Sequence, residues 1–213
     1  MNNQVTKDPT IEISPASAAE LGGLKTLLGM RWPSYWMRKV PESSLDAFLQ
    51  YAVESARSVI LLARAAGDRM PVGYVFATLD PRWFWTGFAL RNPLTTHAIV
   101  AVRLLRRLEL KRKRGQVHKQ GDGASGLPDF AWTPSAPTVA RILGLYVRHD
   151  HRRKGIAMGL YFKLFEALKA KGVRRVEEYM GPDYPRYAGR FPEACGWSLQ
   201  RCSSGGYKIS KQL

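Results

Sequence analysis

The chain has 213 residues, 45% of them hydrophobic, a length and composition suited to one domain of residues 1–213 with a substantial core. No stretch of 18 or more apolar residues free of charge occurs, which excludes a membrane-crossing helix, and Cys195 and Cys202 have no second pair with which to complete a metal site. A net charge of +16 and a pI near 10.2 call for acidic partners. The opening MNNQVTKDPT lacks the basic-then-apolar pattern of a secretory signal, so a cytoplasmic protein with reduced, free thiols is expected.

Ile11 and Ile13 flank Glu12 in a short predicted strand, and Ser14, Pro15 and Glu20 set up a helix start. Ser43 and Ser44 precede LDAFLQYAVESA, where Leu45, Phe48, Leu49 and Ala52 recur at helical spacing. VILLARAA and VGYVFATL, separated by GDRMP, predict a hairpin. From Asp80 to about Thr138 the rhythm breaks into an aromatic cluster PRWFWTGF, the run THAIVAVRLLRRLELKRKR, and a Gly, Pro and Ser-rich stretch, a pattern that marks a basic and aromatic insertion at about 80–138.

Order returns at Val139. VARILGLYVR predicts a central strand, HDHRRKGIA a basic turn, and MGLYFKLFEALKAKG a helix with Leu160, Leu164, Phe165 and Leu168 on one face and Gly172 as its stop. RRVEEYM, GWSLQRC and GYKIS predict three more strands, with a proline-interrupted helical segment over PDYPRYAGRFPEAC, so the order of elements is mixed α/β.

The sharpest chemical feature is the strand, then Arg152-Arg153-Lys154-Gly155-Ile156-Ala157, then the amphipathic helix. A helix start leaves backbone N–H groups unbonded and carries partial positive charge, Gly155 lets the backbone come close to a phosphate, and three cations add attraction. This is an anion cradle. It has neither the GK[ST] of a nucleotide-hydrolysing phosphate loop nor the three-glycine spacing of a dinucleotide fold.

RRKGIA, with the LYV strand before it, resembles the R/Q-x-x-G-x-G/A signature of the GCN5-related N-acetyltransferases. IEISPASAAELGGL is similar to that family's first strand and helix, MPVGYVFATL to its third strand, and FPEACGW to the segment before its penultimate strand. The resemblance spans most of the chain outside about 80–138. It implies a splayed, mostly antiparallel sheet flanked by helices, the acyl-CoA N-acyltransferase fold, with acetyl-CoA as acyl donor wedged between the fourth and fifth strands. Backbone groups at Leu145, Tyr146 and Val147 would hold the pantetheine arm, and Arg152, Arg153, Lys154, Gly155, Ile156 and Ala157 the pyrophosphate. A primary amine would then attack the thioester directly.

Where many members of the family carry the tyrosine that protonates the leaving thiolate, this chain has Pro192, and Pro185 stands at the upstream asparagine position. Tyr187 and Tyr184 are the nearby hydroxyls, with Tyr187 favoured because it lies one helical turn before Phe191. Glu177 and Glu178 are the candidate bases, one expected on each side of their strand, with bulk water as the alternative. His149 and His151 are expected in a solvated loop, and no metal is expected. Between residues 82 and 114 nine Lys or Arg face one acid, Glu109, which with Trp83, Phe84 and Trp85 suits an anionic membrane surface, nucleic acid, or a substrate lid or homodimer contact. Two functional classes follow: an N-acetyltransferase acting on a small amine, an amino sugar or a protein amine, and a non-catalytic module that binds CoA, RNA or a membrane surface.

Overall fold

The computed structural model describes residues 10–31, 42–97, 138–180, 196–202 and 207–213. Its strands are β1 (Ile11–Pro15), β2 (Ser58–Ala65), β3 (Gly73–Thr78), β4 (Val139–Val147), β5 (Arg175–Met180), β6 (Ser198–Arg201) and β7 (Tyr207–Gln212). Its helices are α1 (Leu21–Arg31), α2 (Glu42–Glu54), α3 (Pro81–Arg91) and α4 (Ile156–Ala170). The strands form one sheet in the order β1-β2-β3-β4-β5-β7-β6. All neighbours are antiparallel except β4 and β5. That pair is joined by α4, and a parallel return requires such a crossover. The mixed, mostly antiparallel sheet expected from the sequence is therefore present.

Alternation along the central strands sends successive side chains into two cores. On one face Leu61, Ala63, Val75, Ile142 and Val176 meet α4, whose Ile156, Leu160, Leu164 and Leu168 recur every four residues and are buried. On the other face Leu62, Tyr74 and Phe76 meet Leu24 and Leu27 of α1, Phe48 and Leu49 of α2, and Phe84 and Phe88 of α3. Covered on both faces, β2 and β3 are buried almost throughout, which is why they are continuous apolar runs in the sequence. Each fully buried Leu or Phe contributes about 1.5–3 kcal/mol of transfer free energy.

The helix stop at Gly172 is as expected: with φ +78, its N–H donates to the Lys169 carbonyl while Val173 N–H reaches back to the Leu168 carbonyl, the paired bonds of a left-handed C-terminal cap. Two expectations change. Ser14 and Pro15 do not start a helix; they pair with Leu62 and Leu61 as the end of β1. The helix start belongs to Ser17, whose backbone N–H and Oγ both donate to the Glu20 carboxylate, at 2.9 and 2.8 Å. The aromatic cluster at the start of the expected insertion is α3, and Phe84 and Trp85 are buried at 0% and 8% exposure while Trp83 is 55% exposed. Two of the three aromatics considered for a membrane or base-stacking surface thus belong to the core, because helical spacing turns them toward Phe48 and Tyr51. The basic run from 98 to 114 lies outside the described residues, and no helix among those described is long and apolar enough to cross a membrane.

Candidate functional site

β4 and β5 pair only from Val139 opposite Arg175 to Ile142 opposite Glu178. β4 itself continues to Val147, held on its other side by β3 as far as Gly73. Between those points Phe76 faces Gly144 and Ala77 faces Ile142, so Leu143 is one residue in excess. An extra residue of this kind bends a strand and sharpens its twist. β4 accordingly leaves β5 at Leu143, and the sheet forks.

At the fork lies a groove of about 490 Å³. Leu145, Tyr146, Val147, Arg152, Arg153, Gly155, Ile156 and Ala157, all expected from the sequence, line it together with His151 and Met158, which were not anticipated. Lys154, also expected, is exposed and is not among the lining residues. Gly155 is the residue before α4 and has φ 73 and ψ −2, a left-handed conformation natural to glycine. A Cβ built on it meets nothing within 4 Å, so the cradle is open at the place where a side chain would otherwise project. Arg153 is also left-handed, at φ 62, which costs a non-glycine residue about 1–2 kcal/mol. These two positions turn the backbone so that the start of α4, with its unbonded N–H groups and positive dipole end, adjoins the groove.

Arg152 is tied down rather than diffuse. Its Nε donates to the Val147 carbonyl at 3.1 Å and its guanidinium carbon lies 5.7 Å from the centre of the Tyr146 ring. His151 joins the cradle to the β2–β3 hairpin: Nε2 lies 3.1 Å from Asp68 Oδ2 and 3.5 Å from Asp150 Oδ2. Arg148 completes the tie, donating from Nη2 to Asp150 Oδ2 at 2.5 Å and from Nε to Oδ1 at 3.2 Å. His151 is thus fixed rather than solvated, and no group of three or more His, Cys, Asp or Glu suited to a metal ion is found among the described residues.

Donation from Arg148 holds the Asp150 carboxyl below the usual carboxylate range, and the Asp150 carboxylate in turn raises Arg148. Because Asp150 is depressed in the folded state, the pair contributes stability above the ordinary carboxylate range and loses it as pH falls through the folded value. Asp150→Asn is therefore expected to leave the acid limb of the melting profile shallower below about pH 4, with a small effect because the pair is exposed. Melting temperatures of both proteins across that range test this, and parallel acid limbs would contradict it.

On β5 the two glutamates face opposite sides, as expected. Glu178 accepts a hydrogen bond from the Tyr161 hydroxyl of α4 at 2.8 Å. Glu177 faces away from α4, with Oε1 3.1 Å from Arg175 Nη2 and 3.8 Å from Lys208 Nζ. Both are buried. Tyr184, Tyr187, Pro185, Pro192 and Cys195 lie outside the described residues; Cys202 carries a free thiol. Sequence reasoning missed Arg141, which pairs across the sheet with Glu177 and places its guanidinium carbon 5.0 Å from the centre of the Tyr179 ring. Its signal in the sequence was a lone charge inside the apolar run VARILGLYV.

A mixed sheet whose one parallel pair forks over a helix start is the architecture of acyl-CoA N-acyltransferases. The family model described as "Acetyltransferase (GNAT) family" matches residues 24–197, and the chain belongs to that family. Its fold is similar to the PaiA N-acetyltransferase from Thermoplasma acidophilum in complex with coenzyme A, at 14% identity over 96% of this chain and 99% of that one, with a TM-score of 0.57. It is also similar to an aminoglycoside N-acetyltransferase in complex with CoA, at 14% identity over 93% and 100% of the two chains (TM-score 0.55). A third similar structure is an aminoglycoside antibiotic 6'-N-acetyltransferase from Acinetobacter baumannii, at 16% identity over 89% and 91% (TM-score 0.52). A comparison with curated protein sequences found no match.

Proposed function

We propose that the protein transfers an acetyl group from acetyl-CoA to a primary amine by direct attack of the amine on the thioester. The observation that carries this reading is the fork: β4 runs from Leu143 to Val147 without β5 beside it, and the turn that follows closes on an open, left-handed glycine before α4. An extended pantetheine arm suits the vacated strand edge, where it would bond the backbone as a further strand does. The pyrophosphate suits the cradle at Gly155, Ile156 and Ala157, with Arg152 and Arg153 supplying opposite charge. Similar structures that hold coenzyme A support the same donor.

In the reaction the amine nitrogen bonds the acetyl carbon and the carbon–sulfur bond breaks, which yields an amide and the CoA thiolate. The nitrogen's surplus proton passes to Glu177 or to bulk water, and Tyr187 or Tyr184 returns a proton to the sulfur in place of the residue replaced by Pro192. Calorimetric titration with acetyl-CoA in moderate salt, followed by thiol release across a panel of amines, tests the reading. Micromolar binding with amine-dependent release supports it, and no binding overturns it. Tyr187→Phe is expected to lower turnover more than affinity; unchanged turnover removes Tyr187 from the mechanism.

A further inference from the structure

Arg141 is left unused by the reaction as written. It lies on β4 opposite Thr78 of β3 and Glu177 of β5, one residue before Ile142, whose pairing with Glu178 is the last before the fork. Its neighbours Ala140 and Ile142 belong to the α4-side core, so alternation along the strand directs Arg141 to the other face, beside Tyr179. The residue is 4% exposed, and its Nε and Nη1 have no hydrogen-bond partner.

Buried donors left unbonded are among the costlier defects a fold carries, and a buried charge is costlier still. Glu177, the nearest carboxylate, is already shared by Arg175 and Lys208. Among the described residues Arg141 has no carboxylate within ion-pair distance, Glu177 acts on it only as a nearby charge, and burial works directly against the charge of Arg141. An anion from outside the chain resolves both deficits at once, since it accepts from the idle donors and balances the surplus charge. The register that creates the fork puts this deficit at its base, on the face away from α4.

We propose that Arg141 determines acceptor specificity, and that the acceptor is an amine bearing a carboxylate or a phosphate that pairs with the Arg141 guanidinium. This rests on the acetyltransferase reading above and adds the acceptor's chemical class to it.

Matched amines test the proposal without any variant: an α-amino acid against its carboxamide, and an amino-alcohol phosphate against the free amino alcohol, each with acetyl-CoA and detection of released thiol. The anionic member of at least one pair is expected to show a kcat/KM about 100-fold higher, carried mainly by KM. Which pair shows it decides between carboxylate and phosphate. Arg141→Gln is expected to erase the preference while calorimetric affinity for acetyl-CoA is unchanged. Arg141→Met is expected to keep or raise the melting temperature, because it removes a buried charge whose Nε and Nη1 have no hydrogen-bond partner. A fall in melting temperature with the preference intact identifies Arg141 as a structural strut and overturns the proposal. Equal use of both members of each pair, or use of neither, by a protein that binds acetyl-CoA also overturns it. Failure to bind acetyl-CoA overturns the acetyltransferase reading instead.

Discussion

Gly155→Glu is expected to weaken acetyl-CoA binding at least 100-fold, about 2.7 kcal/mol, while the protein stays folded. The loss has two sources. A carboxylate at the start of α4 occupies the space that the Gly155 backbone leaves open and repels the pyrophosphate that the cradle would receive. The fold is expected to survive because a Cβ at this position meets nothing within 4 Å, and negative charge at a helix N-terminus is itself favourable. What remains is the cost of placing a side chain at φ 73, about 1–2 kcal/mol. Gly155→Ala separates the contributions, since it carries the backbone cost without charge or length, and a much smaller loss of affinity is expected from it. Calorimetry of the three proteins, with circular dichroism as the control for folding, measures both effects. Retention of full affinity by a folded Gly155→Glu protein would falsify the placement of the donor in this groove.

Phe84→Ala is expected to destabilise the protein by about 3–5 kcal/mol in denaturant unfolding, among the largest effects of any single truncation here. Phe84 is 0% exposed and lies at the centre of an aromatic cluster, with ring centres 6.1 Å from Phe48, 5.2 Å from Tyr51, 6.0 Å from Phe76 and 5.6 Å from Trp85. Its removal opens a cavity among side chains from three different elements, which cannot all collapse into it. Trp83, one residue earlier and 55% exposed, provides the contrast: Trp83→Ala is expected to change stability by no more than about 0.5 kcal/mol. Equal effects of the two substitutions would mean that α3 is not docked on the sheet as described.

These two sites also show why one part of the molecule was legible in the sequence and another was not. The cradle is local. Strand, cationic turn, glycine and amphipathic helix follow one another without a break from Val139 to Ala170, and each requirement of anion binding is met by residues within one turn of their neighbours. The same holds for α4, whose buried face is written at a spacing of four, and for its stop at Gly172. α3 failed to show itself for a different reason. PRWFWTGFALR is apolar on most sides, with no polar stripe to reveal a helical period, and it adjoins a basic run that invited a surface interpretation. Its place in the core depends on Phe48 and Tyr51, which lie in a different helix far back in the chain, and on Phe76 of β3.

Sequence alone determined that this chain has a mixed α/β fold, a basic, glycine-containing turn at Arg152–Ala157 before an amphipathic helix and two glutamates on opposite sides of one strand, because strand alternation, helical period and glycine conformation act over a few adjacent residues. Only the tertiary structure decided that β4 parts from β5 at Leu143, that His151 is bound to Asp68, and that Arg141 faces Glu177 and Tyr179 with two donors idle. Each of these depends on register between segments tens of residues apart. A one-residue slip of β4 against β5 would send Arg141 to the α4 face and leave the local pattern of both strands unaltered.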